Sequence, residues 1–273
     1  MAVHTTCSVA GWSVQRDGAR DILRSLPEET PVALVFNGTT AAVMMATPTD
    51  LKDFAFGFAR TEGFIGGLDQ VETFEIMPHA TGIEARFWLG DEQAQAMQTR
   101  RRMMLGPVGC GLCGIDSLEQ AVRPLPVLAA TGPHLSHHDV ATATDALRNH
   151  QPLHDQTHAV HAAGFLMPGQ GIILCREDVG RHNALDKLIG AMAFAGLDAA
   201  QGAIVLTSRV SVEMVQKTVI AGCTVLIAVS APTAHAVRLA QGANLTLAAF
   251  ARGRGFDVYA HPQRILTGAC NAA

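Results

Sequence analysis

The chain has 273 residues, of which 48% are hydrophobic, so it can bury a sizeable core as one large domain or as two lobes. Its formal net charge of −4 excludes a general electrostatic attraction to nucleic acid or to an anionic membrane surface. No apolar run approaches the ~20 residues that span a bilayer, residues 1–11 lack the features of a secretory signal, and the six cysteines are too scattered for a disulfide framework, so we expect a cytoplasmic protein with reduced thiols.

Residues 1–105 predict a small α+β lobe. A short apolar run ends at Asn37-Gly38, a dipeptide that favours the tight turn between two paired strands. Thr49 or Asp50 provides an N-cap for the helix that follows. The predicted elements are strands at 31–37 and 41–47, a helix at 51–62, strands at 73–77 and 83–89, and a helix at 91–104.

A stretch rich in glycine and proline, residues 106–134, follows this lobe and predicts an exposed loop that flanks a short helix. It contains Gly109-Cys110-Gly111-Leu112-Cys113-Gly114, a C-x-x-C motif with glycines around both cysteines. Two thiols at this spacing can share a metal, form a disulfide or pass a sulfur atom from one site to another. The glycines permit unusual backbone angles and leave room for a partner to approach.

Residues 135–273 alternate strands with helices, which predicts an α/β lobe with a largely parallel sheet. Ligands bind such sheets at the carboxyl ends of the strands, where loops lead into helix N-termini that favour anions. Residues 176–183, 207–211 and 230–233 are three such loops. Each alone could provide ordinary helix caps, but together they predict a nucleotide-like ligand. The predicted elements are a helix at 137–150 capped by Ser136, helices at 183–195, 212–220 and 233–241, and strands at 172–175, 203–206, 225–229 and 245–250.

Residues 250–256, which follow the last predicted strand, are either a basic segment that contacts the ligand or a solvated exit loop. The sequence leaves both interpretations open.

Two other chemistries that use a C-x-x-C fit this chain poorly. Cytidine-type deaminases need a proline before the first cysteine and an upstream H-x-E, whereas Gly109 precedes Cys110 and no H-x-E occurs. A thioredoxin-like motif would lie at a strand-to-helix junction rather than in a long loop. A structural zinc site would need a second ligand pair, and the histidines between His134 and His161 repeat no zinc spacing. We therefore predict no metal site.

The motifs together resemble the formate dehydrogenase accessory sulfurtransferase family over nearly the whole chain. The similarity includes Asn37-Gly38, and one departure is Val212, where the family often has serine. The run Arg-Glu-Asp-Val-Gly-Arg-His-Asn-Ala-Leu-Asp-Lys at 176–187 is too specific to match by chance. The other matching segments are 110–114, 208–211, 213–217 and 230–233.

This resemblance implies a sulfur carrier that accepts persulfide sulfur from a cysteine desulfurase. It passes the sulfur to the guanine-dinucleotide form of the molybdenum or tungsten cofactor, which then enters formate dehydrogenase. No cofactor is permanently bound, although GDP or GMP could mimic the acceptor. The implied fold is a cytidine-deaminase-like three-layer α/β unit with a smaller N-terminal α+β lobe, commonly as a homodimer.

The resemblance also implies site residues. Cys110 would carry the persulfide. On chemical grounds, Cys113 could orient Cys110, relay sulfur or release sulfide, and Arg100, Arg101 and Arg102 could lower the pKa of Cys110 if they fold toward it. The implied cofactor-binding segment is Phe250, Ala251, Arg252, Gly253, Arg254 and Gly255, to which the loop analysis adds Ser208, Arg209, Ser230 and Thr233.

Two alternatives remain open from the sequence. The chain could be a non-catalytic chaperone that binds the cofactor and docks on the dehydrogenase. It could also be a zinc-stabilised structural protein in which Cys110 and Cys113 supply half of the ligands.

Overall fold

The computed structural model describes residues 4–90, 124–253 and 255–266. The predicted helix at 91–104, the two cysteines of the C-x-x-C and Arg254 lie outside the described residues. No helix in the described ranges is long and apolar enough to cross a membrane.

An isolated hairpin precedes the first predicted strand. β1 (Thr6–Gln15) and β2 (Gly18–Pro27) pair antiparallel as a two-stranded sheet, with Trp12 opposite Asp21. The sequence analysis missed it although Asp17-Gly18 is a turn signal, because the strands have no buried face and therefore lack a clear hydrophobic alternation.

The predicted α+β lobe is confirmed between residues 30 and 89. It consists of β3 (Thr30–Phe36), β4 (Thr39–Ala46), α1 (Leu51–Thr61), β5 (Val71–His79) and β6 (Gly82–Leu89). The sheet order is β4-β3-β6-β5, with β3 and β6 parallel. Asn37 and Gly38 have φ of 46° and 76°, as the tight turn requires. One face of the sheet packs on α1 through aromatic contacts such as Phe56 of α1 against Phe87 of β6, whose ring centroids are 5.0 Å apart.

The second lobe contains a six-stranded sheet of order β13-β12-β11-β10-β8-β9. Its strands are β8 (His161–Met167), β9 (Gly171–Asp178), β10 (Ala203–Leu206), β11 (Val225–Ala228), β12 (Thr246–Arg252) and β13 (Gly255–Ala260). A short pair, β7 (Leu135–Ser136) and β14 (Ile265–Leu266), lies beside it. The sheet is mixed rather than largely parallel, since β8 and β13 run antiparallel to their neighbours. That prediction was wrong because neither β8 nor β13 was recognised.

Four helices cover the two faces of this sheet, and the short α3 (Pro152–Thr157) contacts β2 instead. The four are α2 (His137–Arg148), α4 (Arg181–Phe194), α5 (Val212–Ile220) and α6 (Ala234–Gly242). Along β10, Ile204 packs in the core beneath α4, α5 and α6, whereas the next residue, Val205, packs in the core beneath α2. The predicted three-layer α/β architecture is therefore confirmed. Ser136 caps α2 through a capping box with Asp139, as predicted.

The two lobes contact each other through α1 and α4. These helices approach so closely that a Cβ on Gly57 would lie 1.8 Å from the carbonyl oxygen of Asp186, and one on Gly190 would lie 1.9 Å from that of Asp53. Any larger residue at either glycine would force the helices apart. The close packing fixes α4, and with it the loop that enters α4, against the smaller lobe.

Candidate functional site

The carboxyl ends of four strands meet at one edge of the large sheet. Since β8 is antiparallel to both β9 and β10, these two strands run in the same direction, and β10, β11 and β12 are mutually parallel. The loops at 176–183, 207–211 and 230–233 and the turn after β12 therefore share this edge. The sequence analysis predicted this common placement for the three loops.

Three of these segments form a continuous rim, which we define as residues 207–211, 230–233 and 250–253. The amide of Val210 donates to the carbonyl of Ala231 at 3.1 Å, and the amide of Thr233 donates to the carbonyl of Val210 at 2.9 Å. The amide of Phe250 donates to the carbonyl of Ser230 at 3.5 Å. These bonds bring most of the predicted cofactor-binding residues side by side.

The predicted polar residues of the rim differ in burial and in whether they make hydrogen bonds within the chain. Ser208 is buried and its hydroxyl donates to the carbonyl of Arg209 at 3.0 Å. Thr233 caps α6, accepting from the amide of Ala236 at 3.2 Å. Arg209 is exposed and Ser230 is half-buried. The hydroxyls of Ser208 and Thr233 are therefore hydrogen-bonded within the chain, whereas Arg209 points a cation at solvent.

The segment after residue 249 is a hairpin tip rather than an exit loop. Phe250 has φ of 53° and is 37% exposed, its ring 6.5 Å from that of Tyr259. Ala251 is buried, and its carbonyl accepts from the Thr144 hydroxyl. Arg252 pairs with Gly255 across the tip, so Arg252 is held at the end of two strands.

Two residues of these loops have buried polar atoms without a hydrogen-bond partner among the described residues. They are Nε2 of His182, in the first turn of α4, and Oγ of Ser211, at the N-cap of α5. Burial, and then the nearby Arg181, lower the pKa of His182 to about 4, so its ring is neutral at physiological pH. The sequence analysis flagged the loops but not these two residues, because unmet hydrogen-bonding capacity is visible only in three dimensions.

The run at 176–187, which we call the lock, mostly makes internal contacts behind this edge of the sheet. Asp178 is fully buried and accepts from the amides of Thr47 at 3.0 Å and Gly180 at 2.8 Å. The Lys187 ammonium lies 2.7 Å from the Asp178 carboxylate and donates to the carbonyl of Thr47 at 2.9 Å. Arg176 forms a further salt bridge with Asp53 at 2.7 Å. These contacts tie the second lobe to the first.

A second buried charge network lies beside the first. The ammonium of Lys217 is 2.9 Å from a carboxylate oxygen of Asp186 and 2.9 Å from one of Glu62. Burial raises the pKa of Asp186 to about 6, and Lys217 partly offsets this effect. Burial works against the charge on Lys217, but Asp186 and Glu62 outweigh it and raise the Lys217 pKa.

Two of the described cysteines, Cys175 and Cys223, are poor nucleophiles because they are enclosed by the fold. Burial raises the pKa of Cys175 to about 12 and that of Cys223 to about 11, so both remain thiols at neutral pH. Cys7 is exposed on the hairpin. Cys110 and Cys113 lie outside the described residues, and their roles stay predictions. In the described ranges no three His, Cys, Asp or Glu side chains are grouped to hold a metal ion.

Comparison with known proteins agrees with the motifs. A model of the FdhD/NarQ family matches residues 27–266. A protein of Agrobacterium fabrum named sulfur carrier protein FdhD is 50% identical over 243 residues, 89% of this chain and 90% of the relative. A protein of the same name from Brucella abortus is 52% identical over 249 residues, 91% of this chain and 93% of the relative.

The fold has a match among solved structures. A crystal structure of a protein from Desulfotalea psychrophila, assigned as a formate dehydrogenase accessory protein, superposes with a TM-score of 0.74. The match has 22% sequence identity and covers 96% of this chain and 100% of that one. With the family model and the two relatives, the conclusion is that this chain belongs to the FdhD/NarQ family.

Proposed function

We propose that this chain is a cytoplasmic sulfur carrier for formate dehydrogenase and that it carries sulfur as a persulfide on Cys110. Its family and the names of its relatives support the carrier role. The raised pKa values of Cys175 and Cys223 make those two cysteines unsuitable. On sequence grounds, the glycine-flanked Cys110 is a better nucleophile than Cys175 or Cys223.

Loading would be an exchange between sulfur atoms. The Cys110 thiolate attacks the outer sulfur of a persulfide on a cysteine desulfurase, forming a new S–S bond while the donor's S–S bond breaks. The donor cysteine leaves as a thiolate, so the step involves no net oxidation.

Release would use Cys113. Its thiolate attacks the inner sulfur of the Cys110 persulfide, which forms a Cys110–Cys113 disulfide and frees hydrosulfide, the sulfur of Cys113 being oxidised as the outer sulfur is reduced. A cellular dithiol reductant then restores both thiols. The acceptor is the guanine-dinucleotide molybdenum or tungsten cofactor, the substrate of this transfer.

The rim, together with the N-terminus of α4 at the same sheet edge, would bind the guanine-dinucleotide part of that substrate. The observation that carries this proposal is the pair of buried, unpartnered atoms, Ser211 Oγ and His182 Nε2, at two helix N-termini on one sheet edge. Arg209 and Arg252 add cations suited to phosphates, and the exposed ring of Phe250 offers a stacking surface for a base.

The persulfide is tested by intact-mass spectrometry after incubation with a cysteine desulfurase and cysteine. We expect the wild-type chain to gain the mass of one sulfur atom and Cys110→Ala to gain none. Cys7→Ala is the matched control, because Cys7 is exposed and should not carry the sulfur. An adduct that survives Cys110→Ala would refute the assignment.

A non-catalytic chaperone is the alternative function. It binds the same ligand, so calorimetric GDP binding does not separate the two. The double variant Cys110→Ala, Cys113→Ala does, since a chaperone would still support formate dehydrogenase activity in cells and a sulfur carrier would not.

A further inference from the structure

The rim covers only part of the sheet edge on which it lies. From the hairpin tip onward, the strands along this edge follow the order β12-β11-β10-β8-β9. With neighbouring strands ~4.8 Å apart, the rim takes up roughly 10 Å between β12 and β10, and roughly another 10 Å lies between β10 and β9. GDP contains one nucleoside, whereas a guanine dinucleotide has a second half beyond the diphosphate. That half needs more of the edge than the rim provides.

His161 lies on the part of this edge that the rim leaves uncovered. Because β8 is antiparallel to both of its neighbours, its first residue lies beside the last residues of β9 and β10. His161 pairs with Asp178, and the amide of Ala162 donates to the Thr207 hydroxyl at 2.9 Å. Side chains alternate along a strand, and Ala163 packs in the core beneath α4, so His161 lies on the α4 side of the sheet. It extends the edge directly beyond the first residue of the rim.

Arg181 lies close to His161, in the first turn of α4. Burial, and then the charge of Arg181, lower the pKa of His161, and the same two causes lower the pKa of His182. The Arg181 guanidinium is therefore near both rings. Asp178 opposes the shift at His161 and His154 adds to it, with a net lowering of the pKa, so the His161 ring is neutral at physiological pH.

The side chains of His161 and Arg181 are available to a ligand. Both residues are half-buried, and in the described ranges neither the imidazole nor the guanidinium makes a hydrogen bond or a salt bridge. Asp178, the acidic neighbour of His161, is buried and already paired with the Lys187 ammonium at 2.7 Å. The cation and the imidazole therefore have hydrogen-bonding capacity that a ligand can use.

We propose that His161 and Arg181 form a second subsite, which binds the pterin-bearing half of the guanine-dinucleotide cofactor while the rim binds the guanosine diphosphate half. This inference rests on the proposed function, because it takes that cofactor as the ligand of the edge. The guanidinium of Arg181 has paired donors that fit an oxo oxygen beside a ring nitrogen, as in guanine, and a pterin ring has the same pair of acceptors. The neutral imidazole of His161 supplies one further donor and one acceptor nitrogen.

Calorimetric titration of the full chain with two nucleotides tests the second subsite. The probes are GDP and diguanosine diphosphate, in which a second guanosine replaces the pterin-bearing half and presents the same pair of acceptors. We expect the wild type to bind diguanosine diphosphate about 10-fold more tightly than GDP. His161→Ala and Arg181→Met should each reduce this gain to about 3-fold or less. Both variants should change the GDP dissociation constant less than about 2-fold, because neither side chain belongs to the rim.

His138→Gln is the matched control for these variants. It removes an exposed histidine from α2, which packs on the opposite face of the sheet, and it should leave both affinities unchanged. Unchanged GDP binding also shows that a variant is folded. A loss of affinity for diguanosine diphosphate alone is therefore not a loss of structure.

The outcomes separate the second subsite from the rim. A wild type that binds neither nucleotide contradicts the rim, and the second subsite with it. If the wild type binds GDP but binds diguanosine diphosphate no more tightly, or if both variants keep the wild-type gain, only the second subsite is overturned. If the variants weaken both nucleotides equally, His161 and Arg181 belong to the GDP site and the assignment of the second half is wrong.

Discussion

Residues 176–187 and the rim lie at the same sheet edge but face different surroundings. Asp178 and Lys187, inside the distinctive run, are fully buried and bonded to the smaller lobe. Arg209 and Arg252, on the rim, are exposed. The most recognisable segment of the chain thus holds the two lobes together, although it also carries the unpartnered His182 Nε2, while the less distinctive loops beside it present exposed cations and the unpartnered Ser211 hydroxyl.

This contrast distinguishes two reasons why a functional segment can have a more or a less distinctive sequence. A buried ion pair demands particular residues at each end, since replacing one leaves a charge without a partner. A nucleotide-binding rim can be built from common caps, amides and arginines. Variants of the lock should therefore change stability, whereas variants of the rim should change ligand affinity.

The largest expected effect is the loss of the buried lysine. Lys187→Met leaves the Asp178 carboxylate buried without its partner at 2.7 Å, which should lower the free energy of unfolding by about 3–5 kcal/mol. Chemical denaturation followed by circular dichroism measures it. Arg148→Met is the matched control, because it removes an exposed salt bridge to Asp155 and should cost no more than about 1 kcal/mol. Equal losses of unfolding free energy in Lys187→Met and Arg148→Met would contradict the conclusion that the buried ion pair holds the lobes together.

His182 should make the stability of the chain depend on pH. Its pKa is lowered from 6.5 to about 4 in the folded chain, so between these values the unfolded state binds more protons. The His182 contribution to stability should therefore fall as the pH is lowered from 6.5 to 4, by on the order of 3 kcal/mol. Asp186, whose pKa is raised to about 6, contributes in the opposite direction over this range, so the contribution of His182 is measured as the difference between the wild type and His182→Gln in urea denaturation at several pH values.

His182→Gln should lose less stability than the wild type as the pH is lowered from 6.5 to 4, because the variant has no imidazole to titrate. His138→Gln, which removes an exposed histidine on α2, should leave the dependence as in the wild type. If His182→Gln keeps the same slope, His182 is not the residue that takes up the proton.

Much of the fold could be predicted from the sequence, and the omissions have physical causes. Strong local signals, such as the turn at Asn37-Gly38 and the Ser136 cap, gave elements close to those observed. β8 was missed because it is rich in alanine and glycine, and the β1–β2 hairpin because it faces no core. Because β8 was missed, the sequence analysis did not reveal the antiparallel strand that makes the sheet mixed.

The candidate site was predictable as a set of loops but not as a set of contacts. Helix-capping residues and arginines after buried strands are visible in the sequence. From them the three loops were predicted to lie at one edge of the sheet. Which hydroxyls the fold already uses is not visible: Ser208 and Thr233, both predicted as ligand-binding, make hydrogen bonds within the chain, and their ligand-binding role stays a prediction. Ser211, which is left unpartnered, was overlooked for the same reason.

The rim arginines should affect ligand affinity alone. Arg252→Ala removes a cation at the hairpin tip and should weaken GDP binding about 10-fold, the loss of one charge-assisted contact to phosphate. The free energy of unfolding should change by less than about 0.5 kcal/mol. Calorimetric titration measures the affinity, and Arg24→Ala, an exposed arginine on the β1–β2 hairpin, is the control. Unchanged affinity in Arg252→Ala would remove this tip from the binding surface.

The smallest expected effect is also the sharpest test of the contrast, because it concerns two helix caps of the rim. Thr233 accepts a hydrogen bond from Ala236, so Thr233→Ala should lower the free energy of unfolding by about 1 kcal/mol. The Ser211 hydroxyl is buried and makes no hydrogen bond among the described residues. Ser211→Ala should therefore leave stability unchanged or raise it by up to about 1 kcal/mol.

The same two variants should rank in the opposite order for GDP. Ser211→Ala should weaken binding about 5-fold, since the ligand would supply the partner that the fold does not, and Thr233→Ala should have the lesser effect. If Ser211→Ala destabilises the chain as a lost cap would and leaves GDP affinity intact, its hydroxyl serves the helix rather than a ligand. The division between lock and rim would then no longer hold at this loop.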